Sequence, residues 1–258
     1  MCHPDAPSTS SPAPDVLEEV RIALSTGEEL PGLYAHPDHD GPGVLIVADI
    51  YGRGPFYEDL AARLAVAGFH TLLPDYFFRQ GQLADQSRQA AFARRRQLDD
   101  HRALADHLSA IDWLRRQPGV TGGRIGTIGF CMGGTFVLNL AAERADLATV
   151  CYYGFPQAPR LSPNPAPPPL GQLGAINGPI IGFWGDQDEG VGMDNVAKLA
   201  DGLSTRGVDF EHVVYPGLGH GFLKQALPDP GGAGHGDAAD SWRRTLAFYR
   251  RHLGGSVA

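Results

Sequence analysis

The chain predicts an α/β fold, a mostly parallel sheet with helices on both faces, and three observations carry that prediction. Short apolar runs such as GVLIVAD at 43–49 alternate with longer segments whose apolar residues recur every three or four positions. Several runs are apolar throughout rather than at alternate positions, as expected for strands buried on both faces. The 258 residues, 43% of them hydrophobic, suffice for one sizeable core. Strands alternating with helices give a parallel sheet covered on both sides, and sites in such sheets collect at the carboxyl ends of the strands.

The elements follow in order. LEEVRIAL (17–24) and ELPGLYAHP (29–37) read as two strands in a hairpin around Thr26-Gly27. GVLIVAD is the first buried strand. FYEDLAARLAVAG (56–68) is a helix closed by Gly68 in the C-cap position. FHTLLPD (69–75) is a strand. One long helical region is expected from about Ser87 to Gln117, with Leu104, Leu108, Ile111 and Leu114 on one face and Pro118-Gly119 ending it. RIGTIGF (124–130) is a strand and GGTFVLNLAAER (133–144) a helix. LATVCYYG (147–154) and PIIGFWG (179–185) are strands, NVAKLADGLSTRG (195–207) a helix, DFEHVVYPG (209–217) a strand and SWRRTLAFYRRHL (241–253) the last helix. Between them, 155–178 carries too many prolines for regular structure, so a long loop is expected there, and loops of that length are often functional.

Composition removes several classes of function. Net charge is −8, and the one compact basic run, ARRRQ at 93–97, reads as a solvated helix face rather than a nucleic-acid site. Three cysteines, Cys2, Cys131 and Cys151, argue against a disulfide framework and for a reducing, cytoplasmic location. The first residues have no apolar core and so read as neither signal peptide nor membrane span. Residues 1–14, rich in Pro, Ser and Ala, are expected to be a disordered arm, with 15–258 forming one domain. GRGP and TGGRIG do not match a nucleotide-binding pattern. His235, among glycines, lacks the partners of a metal site. Cys151 reads as a buried strand residue, and His101 and His107 as surface positions.

The segment that carries chemistry is RIGTIGFCMGGTFVLNL, a strand, a sharp turn and a helix with Cys131 at the tip. A G-x-nucleophile-x-G turn holds its central residue in an exposed, strained conformation above a helix N-terminus. That setting lowers a thiol's pKa and supplies backbone N–H groups to an oxyanion. Such a nucleophile needs a base and an orienting acid, which follow in the order nucleophile, Asp/Glu, His. GDQD after one strand offers Asp186 and Asp188, and PGLGHGF after the last strand offers His220.

The motifs GFCMGG, CYYG, GDQD and YPGLGHGF, with VADIYG and LLPDYFFR, resemble the dienelactone hydrolase family, the cysteine branch of the α/β-hydrolases, from about Leu30 to the last helix. The resemblance implies an α/β-hydrolase fold with about eight strands and a hydrolase of lactones or small carboxylic esters, without cofactor or metal. It maps the nucleophile onto Cys131, the base onto His220 and, through the pattern G-x-x-D, the acid onto Asp188. Asp49 falls where the family places a carboxylate, commonly Glu, beside the thiol. The oxyanion donors map onto the backbone N–H groups of Met132 and Ile50. Two arginines that bind a substrate carboxylate in the family match Arg79 and Lys224, which makes an acidic small-molecule substrate plausible. Rival readings are a thioesterase or secondary-metabolite esterase on a bulkier acyl group, with 155–178 shaping the pocket, and a non-catalytic binding protein that kept the fold. The assembly expected is a monomer or homodimer, with no nucleic-acid or membrane partner.

Overall fold

The structure, a computed structural model, describes residues 17–254, and the arm expected at 1–14 lies outside them. Eight strands follow in chain order: β1 (Leu17–Ala23), β2 (Glu29–Ala35), β3 (Gly41–Val47), β4 (His70–Pro74), β5 (Val120–Phe130), β6 (Leu147–Tyr152), β7 (Ile180–Gly185) and β8 (Phe210–Tyr215). They form one sheet in the order β1-β2-β4-β3-β5-β6-β7-β8. β2 pairs antiparallel with both β1 and β4, and every other pairing is parallel. All residues of β3, β4, β6 and β7 are buried, which is why their sequences are largely apolar and do not alternate with exposed polar residues.

Seven helices cover the two faces: α1 (Pro55–Val66), α2 (Arg88–Arg95), α3 (Asp100–Arg115), α4 (Met132–Glu143), α5 (Met193–Thr205), α6 (Phe222–Ala226) and α7 (His235–His252). The helical region expected over 87–117 is two helices. Ser87 Oγ caps α2 by accepting from Ala90 N at 3.1 Å, and Asp99 caps α3 by accepting from Arg102 N at 3.0 Å. The apolar stripe ending in Leu114 belongs to α3 alone. The short α6 and the first two turns of α7 carry too little apolar periodicity to be seen in sequence; before Ser241 only Ala238 of α7 is buried. Residues 155–178 are a loop as expected, interrupted by one turn of 3₁₀ helix at Pro169–Gly171. No helix among the described residues is long and apolar enough to cross a membrane.

Two surface expectations are corrected. In the basic run, Arg94 and Arg95 are buried and Arg96 is exposed. His101 is exposed, but His107 is fully buried, its ring 4.9 Å from that of Tyr76 and 5.8 Å from that of Phe136. Six residues along a helix is about one and two-thirds turns, so the two imidazoles stand about 120° apart round the helix, one outward and one inward.

Burial lowers His107 from its ordinary 6.5 to about 4. Between those values the unfolded chain binds a proton that the folded chain does not. Stability from this group is therefore full above about pH 6.5 and lost as pH falls toward 4, by on the order of 3 kcal/mol. His70, also lowered by burial, acts in the same direction. Replacing His107 by Leu should therefore shrink, without abolishing, the loss of stability between about pH 7 and pH 5, read from urea unfolding midpoints. An unchanged acid slope would show that His107 is not charged on unfolding in this range.

Candidate active site

β3, β5, β6, β7 and β8 are parallel, so their carboxyl ends share one edge of the sheet, and four of the five lead directly into the residues at issue. After β5 the chain turns at Cys131, which has φ 57 and ψ −117 and serves as the N-cap of α4. A β-carbon on Gly129 would sit 2.1 Å from Gly133 O, and one on Gly133 would sit 2.1 Å from Val47 O. Both glycines are thus required by the closeness of strand, turn and helix. Cys131 N donates to Tyr152 O at 3.0 Å, and Cys131 O accepts from Thr135 N at 3.1 Å. The other described thiol is different in kind. Cys151 Sγ donates to Gly134 O at 3.4 Å inside the core, and burial pushes it up to about 12.

After β7 the turn over GDQD directs its two aspartates apart. Asp188 is buried, and its Oδ2 lies 2.7 Å from His220 Nδ1, while its Oδ1 accepts from Val191 N at 3.2 Å. Asp186 is exposed and accepts from Gly217 N at 2.7 Å, tying together the turns that follow β7 and β8. His220, buried at the end of that second turn, packs edge-on to Tyr153 at 5.1 Å and against Phe155 at 5.4 Å.

After β3 the segment 48–52 is clamped from every side. Tyr76 Oη donates to Ala48 O at 2.8 Å and Asp49 O at 2.9 Å, and Asp49 N donates to Tyr57 Oη at 3.2 Å. Arg94 Nη2 donates to Tyr51 O at 2.7 Å and Ile50 O at 3.3 Å, and its guanidinium stacks 4.0 Å over Phe77. Gly52, at φ 75, lets the segment turn beneath that guanidinium. The Asp49 carboxylate accepts from Tyr51 N at 2.8 Å and pairs with Lys224 Nζ at 3.3 Å. Lys224 is itself buried, 5.3 Å from the Tyr57 ring and 5.5 Å from that of Tyr51. Sequence reading missed Arg94, because a charge in a charge run gives no sign of the carbonyls it will meet.

A cavity of about 200 Å³ opens above this edge, and Cys131, Met132, Ile50, Asp188 and His220 all line it. Its other walls are mostly apolar, with Phe92 and Phe136 from helices and Phe155, Leu161, two alanines and two prolines from the loop over 155–178; Thr135, Asn139 and Asp100 are polar residues among them. Two of the sequence-predicted residues stand elsewhere. Arg79 does not line the cavity; its guanidinium is held by Asp106 Oδ2 at 2.5 Å and Glu28 Oε2 at 2.9 Å. Lys224 does not line it either, being turned into the pair with Asp49. The arginines that do line it are Arg88 and Arg95, both on α2. Nothing in sequence marks them, since α2 faces the cavity only because the loop packs down on it. Ser162 Oγ donates to Leu98 O at 2.7 Å, and Asn164 Nδ2 reaches Asp99 Oδ1 at 3.2 Å.

Residues 30–253 match the model of the dienelactone hydrolase family. Over 254 residues the chain is 35% identical to a carboxymethylenebutenolidase of Rhodococcus opacus, which covers 98% of both proteins. Its fold is similar to that of a putative dienelactone hydrolase from Klebsiella pneumoniae, with TM-score 0.82, 29% identity, and 92% of this chain and 98% of that one covered. An acylaminoacyl peptidase of Pyrococcus horikoshii shares the α/β-hydrolase fold at TM-score 0.71 and 15% identity, over 93% of this chain and 43% of that one.

Arg94 yields a test of the clamp. Arg94→Met would leave the carbonyls of Ile50 and Tyr51 without this donor, at about 1–3 kcal/mol for each buried acceptor. Both thermal stability and kcat/KM for an ester should fall, the latter by about tenfold or more through displacement of the Ile50 backbone. Arg94→Lys, able to satisfy one carbonyl, should lie between. A variant with lowered stability but unchanged kcat/KM would show that the segment keeps its position without Arg94.

Proposed function

Because the chain belongs to the dienelactone hydrolase family and is a hydrolase of lactones or carboxylic esters, we propose that it acts through Cys131, His220 and Asp188 by way of a thioester acyl-enzyme. The observation that carries this reading is the 2.7 Å contact of His220 Nδ1 with buried Asp188, in the same cavity as a cysteine held at positive φ. An imidazole so fixed presents its other nitrogen as the proton carrier. The Cys131 thiol gives up its proton, which passes to His220, and the thiolate attacks the acyl carbon; the charge passing to the carbonyl oxygen is met by the N–H groups of Met132 and Ile50. Met132 begins α4, where backbone donors have no partner within the helix and the dipole is positive. The ester C–O bond then breaks, and the leaving oxygen takes a proton from the imidazolium. In the second half a water molecule gives a proton to His220 and adds to the thioester. Collapse releases the acid and returns the thiol.

Asp49 is assigned to the activation of the thiol. Its support is burial beside the Ile50 donor and nearness, shared with Cys131, to the Tyr76 hydroxyl, which burial and then Asp49 push well above its ordinary value. Lys224 and Tyr51 N hold the carboxylate in its orientation. A thiol that meets its base in a closed site is also protected from oxidation. The substrate is a small-molecule ester or lactone.

Steady-state kinetics with purified variants tests the assignments. Cys131→Ala should lose about a thousandfold or more in kcat while remaining folded, since the side chain is small. Asp188→Asn should lose about a hundredfold or more, because the imidazole then has no anion to fix its tautomer, whereas Asp186→Asn should stay within about threefold. Asp49→Ala should change the pH profile of thiol alkylation. Equal effects at Asp186 and Asp188 would overturn the choice of acid.

A further inference from the structure

Resting on the reading of the site above, we propose that the cavity selects an ester or lactone whose acyl group is neutral and apolar, and discriminates against one bearing a carboxylate. The reasoning turns on what each nearby cation already holds. Arg79 has two carboxylates of its own, Glu28 and Asp106, and lies outside the cavity. Lys224 holds Asp49. Arg95 does line the cavity, but its Nη1 is 2.8 Å from Asp100 Oδ1 and its Nη2 is 3.1 Å from Asp100 Oδ2, with both side chains more than nine-tenths buried. Asp100 is not free to leave that pair. Its Oδ2 accepts from Ala166 N at 3.3 Å, and its own backbone N–H donates to Ser162 Oγ at 3.2 Å. The carboxylate that neutralises Arg95 is therefore also a fastening of the loop that forms the cavity wall.

A carboxylate on the acyl group would have to leave water for walls made mostly of phenylalanine, leucine, alanine and proline, with Thr135 and Asn139 as the uncharged polar side chains among them. The cation it met there would be one already neutralised, beside the like charge of Asp100. Arg88, the other arginine of the lining, is exposed on the rim, where an ion pair in water gains little. An apolar acyl group meets no such cost and gains from leaving water.

The test compares two activated esters differing only at the far end of the acyl chain: p-nitrophenyl hexanoate and the p-nitrophenyl half-ester of adipic acid, at neutral pH. The expected kcat/KM favours the hexanoate by on the order of a hundredfold. A second comparison uses Asp100→Asn, which keeps the size and an acceptor oxygen but frees the charge of Arg95. In that variant the preference should narrow by about tenfold or more, and a ratio within one preparation does not depend on how much protein folds. Equal rates on the two esters, or preference for the acid, with activity still lost in Cys131→Ala, would overturn the proposal alone. Activity on neither ester would overturn it together with the reading of the site on which it rests. An unchanged ratio in folded Asp100→Asn would overturn the neutralisation of Arg95 as its cause.

Discussion

The backbone of Cys131 is the constraint around which the site is arranged. A residue with a β-carbon at φ 57 and ψ −117 is strained, and such strain persists only where the surroundings leave no alternative. Here the surroundings are three strand ends. Gly133 lies against the carbonyls of Val47 and Ala48 after β3, Gly129 lies under Gly133, and Gly134 lies against Tyr152 O after β6. The hydrogen bond from Cys131 N to Tyr152 O closes the turn onto β6. Strand register, helix start and thiol position are thus one geometric fact, and a methyl group at either flanking glycine would force them apart.

A second regularity is that the buried charges around this turn are satisfied from within. Lys224 meets Asp49, Arg95 meets Asp100, Arg79 meets Glu28 and Asp106, and Arg94 spends its donors on backbone carbonyls. Leaving a charge unpaired in such surroundings is costly. The same pairings that hold the loops in place also turn Arg79 and Lys224 away from the cavity and neutralise Arg95 at its wall. Structural need and substrate preference therefore follow from a single set of contacts, and the departure from an acid-binding pocket needs no change in the fold.

The sequence made the sheet and the turn legible because both are written locally. Apolar runs of six or seven residues give β3, β6 and β7, and the glycines around Cys131 give the strand-turn-helix corner. Order along the chain was enough to propose His220 and one of the two aspartates of GDQD, since successive parallel strands deliver their ends to one edge, and the family's G-x-x-D pattern singled out Asp188. What could not be read depends on partners far along the chain. Arg79 is 51 residues from Glu28, and Lys224 is 175 from Asp49. No local pattern reports such pairings, so Arg79 and Lys224 looked like cations available to a substrate. Arg94 and Arg95 were hidden for the same reason: Arg94 meets carbonyls more than forty residues earlier in the chain, and Arg95 faces a cavity walled by a loop more than sixty residues further on, fastened by Ser162. His107 carries the parallel lesson, being placed inward by the helix phase rather than by its own polarity.

The claim on which most depends is that the acyl group passes onto Cys131 sulfur. Enzyme quenched in acid during turnover of a slow ester, then analysed by intact mass and peptide mapping, reads this directly. The account predicts a mass increase equal to the acyl group, confined to the peptide containing Cys131, and more of it in a His220→Gln variant, where hydrolysis of the thioester lacks its base. Turnover at the normal rate with no acylated peptide, or with the acyl group on another residue, would contradict it.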